Sequence, residues 1–263
     1  MRRITGGLLL FLLTGCGGNG VKDNNQEQNN DERPLSYQSF QSEIPINQNL
    51  EEYKIALIGN SHSYGVSSIL KEVVGHYSSN ALVELKVLAS GFTDDLINNK
   101  ALIDELESGQ WSHLVIQGQK YSQSGNYVYP TSATEQFIAM AKSLKIMPIL
   151  FPEHPQQGDP LEGERVYELH KSIAQNQPSC VAPIGLVWNK AIAQLGSQYF
   201  YSPDGNHAAA YGFMSTSLTL AQIITGEIVD SDEQQIINSV PSDVQAELAR
   251  IVSQTLAEND PCN

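Results

Sequence analysis

Apolar positions along the chain switch between strand-like and helix-like spacing several times, and each switch marks the end of one element. The first clear run, Ile55-Ala56-Leu57-Ile58, stops at Gly59 and reads as a buried strand over 53–58. Val66, Ile69, Leu70, Val73 and Val74 then recur at helical spacing, which predicts a helix over 64–77. A second strand is predicted over 82–88. An amphipathic helix follows over 94–106, carrying Leu96, Ile97, Leu102, Ile103 and Leu106. His113-Leu114-Val115-Ile116 is strand three, and a polar, tyrosine-bearing loop leads from it to Pro130. Thr131 opens a helix with Phe137, Ile138, Met140, Ala141 and Leu144 on its buried stripe. Strand four spans 146–151, a helix 161–174, strand five 180–184 and another helix 186–195. Two more helices close the chain, an apolar one over 213–224 and a last one over 242–257, which packs on either the sheet or a partner.

Strands alternating with helices imply right-handed crossovers and a parallel sheet between two helical layers, an α/β fold. Ligands bind beyond the carboxyl ends of the strands in such sheets. Ser61, the turn at Gly91 and Gln117 should therefore gather at one edge.

The chain begins differently. MRRITGGLLLFLLTGC pairs two arginines with an apolar stretch too short to span a bilayer, the pattern of an export signal over 1–15. Its end, Leu13-Thr14-Gly15-Cys16, resembles a bacterial lipobox, which implies cleavage before Cys16 and acylation of its sulfur. The expected location is the bacterial cell envelope, with the protein tethered by lipid on the periplasmic or surface face. Residues 16–50 are rich in Asn, Gln, Gly and acids and lack aliphatic periodicity, so a flexible tether is expected before a folded domain over 51–263.

Net charge changes the list of partners. With 15 basic against 29 acidic residues the chain carries -14, which argues against nucleic acid, whose phosphates require clustered Lys and Arg. It argues equally against electrostatic adhesion to anionic lipid. Once Cys16 is assigned to lipid, Cys180 and Cys262 either pair in an oxidising compartment or remain as two separate thiols. Neither has a histidine at metal-ligand spacing, and no metal or cofactor is expected.

The chemistry lies in two short stretches. In GNSHS, Ser61 follows a strand and precedes a helix, where a hydroxyl serves either as a helix cap or as a nucleophile. In YFYSPDGNHAAAYG, Asp204 stands three residues before His207, close enough to fold back and accept the imidazole Nδ1 proton. The other ring nitrogen is then free to take the proton of a serine hydroxyl. Tetrahedral oxyanions also need donors, and the N–H of Ser61, the N–H of Gly91 and the side-chain amide of Gln117 are the candidates, with Gln119 in reserve. His62 is expected to wall the pocket, since adjacent side chains diverge. His154, beside Glu153 after strand four, and Tyr121 are candidate substrate contacts. Tyr127 and Tyr129 share that loop, while His76, His113 and His170 are expected at the surface or edges.

Together these residues resemble the SGNH hydrolases, the GDSL-type esterase and lipase superfamily, over about 53–226. Gly59-Asn60-Ser61 is similar to the block that holds the nucleophile, Gly91 to the second block, and Asp204-x-x-His207 to the last. The third block departs from the usual Gly-x-Asn. Gln117-Gly118-Gln119 instead resembles the Gln-Gly-Glu of the carbohydrate acetylesterase branch, in which a glutamine amide supplies the oxyanion donor. The resemblance implies a flavodoxin-like three-layer sandwich and cofactor-free hydrolysis of esters, with O-acylated carbohydrates or small esters as substrates. A glycan-binding protein without turnover, or an acyltransferase using the same three residues, would share these features.

Overall fold

The computed structural model describes residues 43–228 and 235–263. The expected export signal, Cys16 and most of the expected tether lie outside the described residues. Elements follow in the order β1 (Glu52–Gly59), a 3-10 turn (Ser61–Ser63), α1 (Tyr64–Tyr77), β2 (Leu82–Ser90), α2 (Thr93–Leu96), α3 (Lys100–Ser108), β3 (His113–Ile116) and α4 (Ser132–Ser143). Then come β4 (Met147–Leu150), α5 (Pro160–Asn176), β5 (Cys180–Val181), α6 (Ile184–Leu195), α7 (Ala210–Thr225) and α8 (Ser242–Glu258).

The strands form one parallel sheet in the order β2-β1-β3-β4-β5. Side chains alternate across a strand, and β1 shows the consequence directly. Tyr53, Ile55 and Leu57 enter a core shared with α1, α6, α7 and α8, while Ala56 and Ile58 enter a second core with α2, α3, α4 and α5. This is the three-layer α/β/α sandwich the pattern predicts. Helix α8 packs in the first core through Leu248, Ala249, Ile251 and Val252, so it covers α6 and α7 rather than the sheet itself.

Several local expectations need correction. The helix expected over 94–106 is two helices, because Asn99 turns out of the helix and its side chain caps α3 by accepting from Leu102 N–H. Strand β5 is only two residues long, and Ile184 already begins α6. Residues 47–49, expected in the tether, are bound to the domain. Asn47 Nδ2 donates to Ser112 O and Lys145 O, Gln48 Nε2 donates to Ile223 O, and Asn49 N–H donates to Thr225 O. Polar side chains there satisfy backbone carbonyls, a role that hydropathy cannot reveal. His113 and His170 are fully buried, not at the surface.

Cys180 and Cys262 are joined in a disulfide. Beside it, Val181 N–H donates to Pro261 O at 2.7 Å, so the C-terminal tail lies along the outer edge of β5. No helix among the described residues is long and apolar enough to cross a membrane.

Candidate active site

Strand β1 delivers the site. Near its carboxyl end the pairing with β2 slips between Leu57 and Ile58, a bulge that bends the chain just before the turn. Gly59 follows, and a Cβ there would collide with the Gln117 side chain. That packing makes the glycine necessary. Asn60 then caps the 3-10 turn, its side chain accepting from His62 N–H. Ser61 is presented at the edge of the sheet with its hydroxyl exposed.

The far partner arrives from the turn between α6 and α7. A bridge between Tyr201 and Ala208, with Ser202 N–H donating to His207 O at 2.8 Å, closes this turn on itself. Asp204 Oδ1 accepts from the N–H groups of Asn206 and His207, both at 3.0 Å, and Oδ2 faces His207 Nδ1 at 2.6 Å. A carboxylate only accepts, so Nδ1 carries the imidazole proton and Nε2 presents a lone pair. Ser61 Oγ lies 2.9 Å from that Nε2. The bond from His207, with those two backbone donors, holds the Asp204 carboxyl well below the usual carboxylate range. It stays ionised whenever the imidazole is neutral.

The expected oxyanion donors are placed otherwise. Gly91 N–H donates to Gly59 O at 2.9 Å, continuing the sheet. Gln117 is completely buried, accepting from Asn60 N–H at 2.5 Å and donating through Nε2 to Glu153 Oε1 at 2.7 Å. Gln119 donates to Lys120 O and Pro130 O and accepts from Thr134. Gly91 N–H and both amide hydrogens of Gln119 are therefore spent on holding loops, Gln117 Nε2 is buried with its bond to Glu153, and among the described residues Ser61 N–H alone of the expected donors has no internal partner. Gly118, between the two glutamines, has φ +99 and passes so close to Gly91 that a Cβ would lie 2.7 Å from its carbonyl oxygen. The third block thus acts as a buried brace under Asn60.

His62 and Tyr121 line the cavity above Ser61, as expected, together with Asn60, Phe92, Tyr129 and Glu153, in a space of about 960 Å³. His154 does not. It is buried, its ring stacked at 3.8 Å on Trp188, so it backs the site without reaching a ligand. Burial in that apolar stack pushes His154 down to about 3. Tyr121 donates to Glu162 Oε1, and burial, reinforced by the Glu153 and Glu162 carboxylates, keeps its hydroxyl protonated far above the ordinary phenol range.

Sequence reasoning missed two roles. Glu153, noted only as a neighbour of His154, ties β1 to β3 by accepting from both Asn60 Nδ2 and Gln117 Nε2. Its place directly beyond β4, on the ligand side of the sheet, was the available signal. Glu162 reads in sequence as an ordinary helix acid, and nothing marks it as the partner of Tyr121.

A serine hydroxyl, an imidazole and a carboxylate thus stand in one hydrogen-bonded line at the carboxyl end of a doubly wound parallel sheet. The chain has the SGNH hydrolase fold. A candidate SGNH hydrolase from Slackia heliotrinireducens superposes with a TM-score of 0.52 at 16% identity, covering 66% of this chain and 99% of that one. A DUF4886 family protein from Bacteroides uniformis superposes at 0.62 with 13% identity, covering 80% of this chain and 96% of its own. No family model matches the chain, and no curated protein matches it.

Proposed function

We propose that the protein is a serine esterase in which Ser61, His207 and Asp204 act together through an acyl-serine intermediate. The observation that carries this reading is the continuous line from Ser61 Oγ to His207 Nε2 at 2.9 Å and from His207 Nδ1 to Asp204 Oδ2 at 2.6 Å. Ser61 Oγ attacks the ester carbonyl carbon while His207 Nε2 takes its proton. The tetrahedral oxyanion receives a hydrogen bond from Ser61 N–H at the start of the 3-10 turn and α1. When it collapses, the ester C–O bond breaks and the imidazolium returns its proton to the leaving alkoxide. Water, deprotonated by the same nitrogen, then attacks the acyl carbon and frees Ser61.

The leaving alcohol favoured by this site is large, neutral and hydroxyl-rich, such as an O-acylated carbohydrate. A cavity of about 960 Å³ exceeds the needs of a short acyl group, and Phe92, Tyr121 and Tyr129 offer ring faces beside polar groups. Glu153 and Asp204 disfavour an anionic substrate. Anchoring through Cys16 would place this activity in the bacterial envelope, a reading that rests on the lipobox alone; radiolabelled palmitate incorporation that persists in Cys16→Ser would overturn it.

The decisive experiment compares Ser61→Ala and His207→Ala with the parent protein on p-nitrophenyl acetate. Each substitution should abolish hydrolysis and leave the melting temperature unchanged. Unimpaired turnover in either variant refutes the assignment.

A further inference from the structure

The base is held on its edge by Asp204, but its face is also occupied. His62 lies parallel to His207, ring centroids 4.8 Å apart and planes 16° from coplanar. Behind it the contacts continue into the core. His62 Nδ1 is 3.4 Å from His154 Nε2, His154 Nδ1 is 3.1 Å from Pro155 O, and the His154 ring lies flat on Trp188. Trp188 Nε1 is fixed in turn by Thr216 of α7 at 3.0 Å.

These contacts assign the protons one by one. A carbonyl oxygen only accepts, so His154 carries its proton on Nδ1 and offers a lone pair at Nε2. His62 must then donate from Nδ1, which leaves its own Nε2 3.7 Å from Glu153 Oε2. Burial pushes His62 below its ordinary value, against the pull of the Glu153, Asp204 and Glu162 carboxylates and together with the repulsion of His207. With Nδ1 engaged by His154, His62 has no bond to the Ser61 hydroxyl and is not the base.

We propose that His62 is a positioning residue: its ring, locked by His154 and Trp188, is the platform against which the His207 imidazole is set. An imidazole restrained only along the Asp204 edge can still swing about that bond, since His207 is partly exposed to solvent. A fixed ring on one face removes the swing and keeps Nε2 on the line to Ser61 Oγ. The inference rests on the esterase reading, so its test separates the two.

Three variants are measured with p-nitrophenyl acetate and with a fluorophosphonate that labels Ser61. His62→Ala should lower kcat and the labelling rate roughly tenfold to a hundredfold, the range expected for a misaligned base, with KM within about twofold. His62→Phe, which keeps a flat neutral ring, should recover most of that loss. His62→Gln, which keeps a donor for His154 without a ring, should remain as slow as His62→Ala. Full activity in His62→Ala, or in His62→Gln, overturns the proposal, as does a His62→Phe variant that folds but is no faster than His62→Ala. If the parent protein neither hydrolyses the ester nor takes the label, the esterase reading falls, and nitrogen-15 spectra of the histidines decide the role of His62. The His207 ring signals should then be narrow in the parent protein and broadened by ring motion in His62→Ala; identical line widths overturn the proposal.

Discussion

Removing the Cys180–Cys262 disulfide by Cys262→Ser tests how the segment bearing the acid and the base is held. The cross-link joins residues 82 apart in sequence, and Asp204 and His207 lie inside the loop it closes. Loop-closure entropy for that length corresponds to ~4.5 kcal/mol of stabilisation at 25 °C, acting mainly on the unfolded chain. The folded side loses little. Cys180 is fully buried and would persist as a small apolar thiol, and the bond from Val181 N–H to Pro261 O is made by backbone. A loss of about 3 to 5 kcal/mol is therefore expected in urea unfolding, a large share of a typical domain's stability. Catalysis should respond differently, because the Asp204–His207 turn is closed by its own bonds, from Ser202 to His207 and from His207 and Asn206 to Asp204. Ester hydrolysis per folded molecule should stay within about twofold of the parent, as for distant independent sites. Unfolding curves with and without reductant, paired with initial rates below the transition, provide both numbers. A stability loss under about 1 kcal/mol, far below the loop-closure value, or a collapse of activity in the still folded variant, refutes the reasoning.

Burial pushes His113 and His154 down to about 3 and His170 down to about 4, so each takes up its proton more readily in the unfolded chain than in the folded one. Their contribution to stability is present above the unfolded value near 6.5 and is lost as pH falls towards those folded values; denaturation curves should show a loss of roughly 3 kcal/mol between pH 6 and 5, and constant stability over that interval would refute the assignment of these rings as buried and neutral. Gln117→Leu leaves the part-buried Asn60 N–H without its acceptor and Glu153 without one of its two donors, so it should cost about 1–3 kcal/mol in urea unfolding and slow hydrolysis by loosening the Ser61 turn; a variant as active and stable as the parent contradicts the bracing role. Gly118→Ala forces a side chain into φ +99 and against Gly91 O, so thermal melts should show a loss on the order of 1–3 kcal/mol, and an unchanged melt would refute it.

Much of the architecture was legible because periodicity reports burial directly. Helix α1 ends where the pattern predicts, and β3 matches residue for residue, since both elements place apolar side chains regularly against one layer or two. The break between α2 and α3 was hidden because Leu96 and Ile103, seven residues apart, keep helical spacing across a gap that only the Asn99 cap reveals. The buried positions of His113 and His170 were hidden for a related reason: polarity alone does not say which strand or helix face a ring shares.

The same division runs through the site. By itself the sequence determined the residues that could do the chemistry: a serine after a glycine-terminated strand, and an aspartate three positions before a histidine, all local patterns set by backbone geometry. Only the tertiary structure decided which groups meet and which are already engaged. Ser61 and His207 are 146 residues apart, and the turn between α6 and α7 brings the imidazole to the residue that follows β1. The amides of Gly91, Gln117 and, in reserve, Gln119, expected as donors from the sequence, turn inward because Gly59 O, Asn60 N–H, Glu153 and the Pro130 loop compete for them more closely than the pocket does. A hydrogen-bonding group is committed by its nearest partner in space, and that partner is not written in the residues beside it.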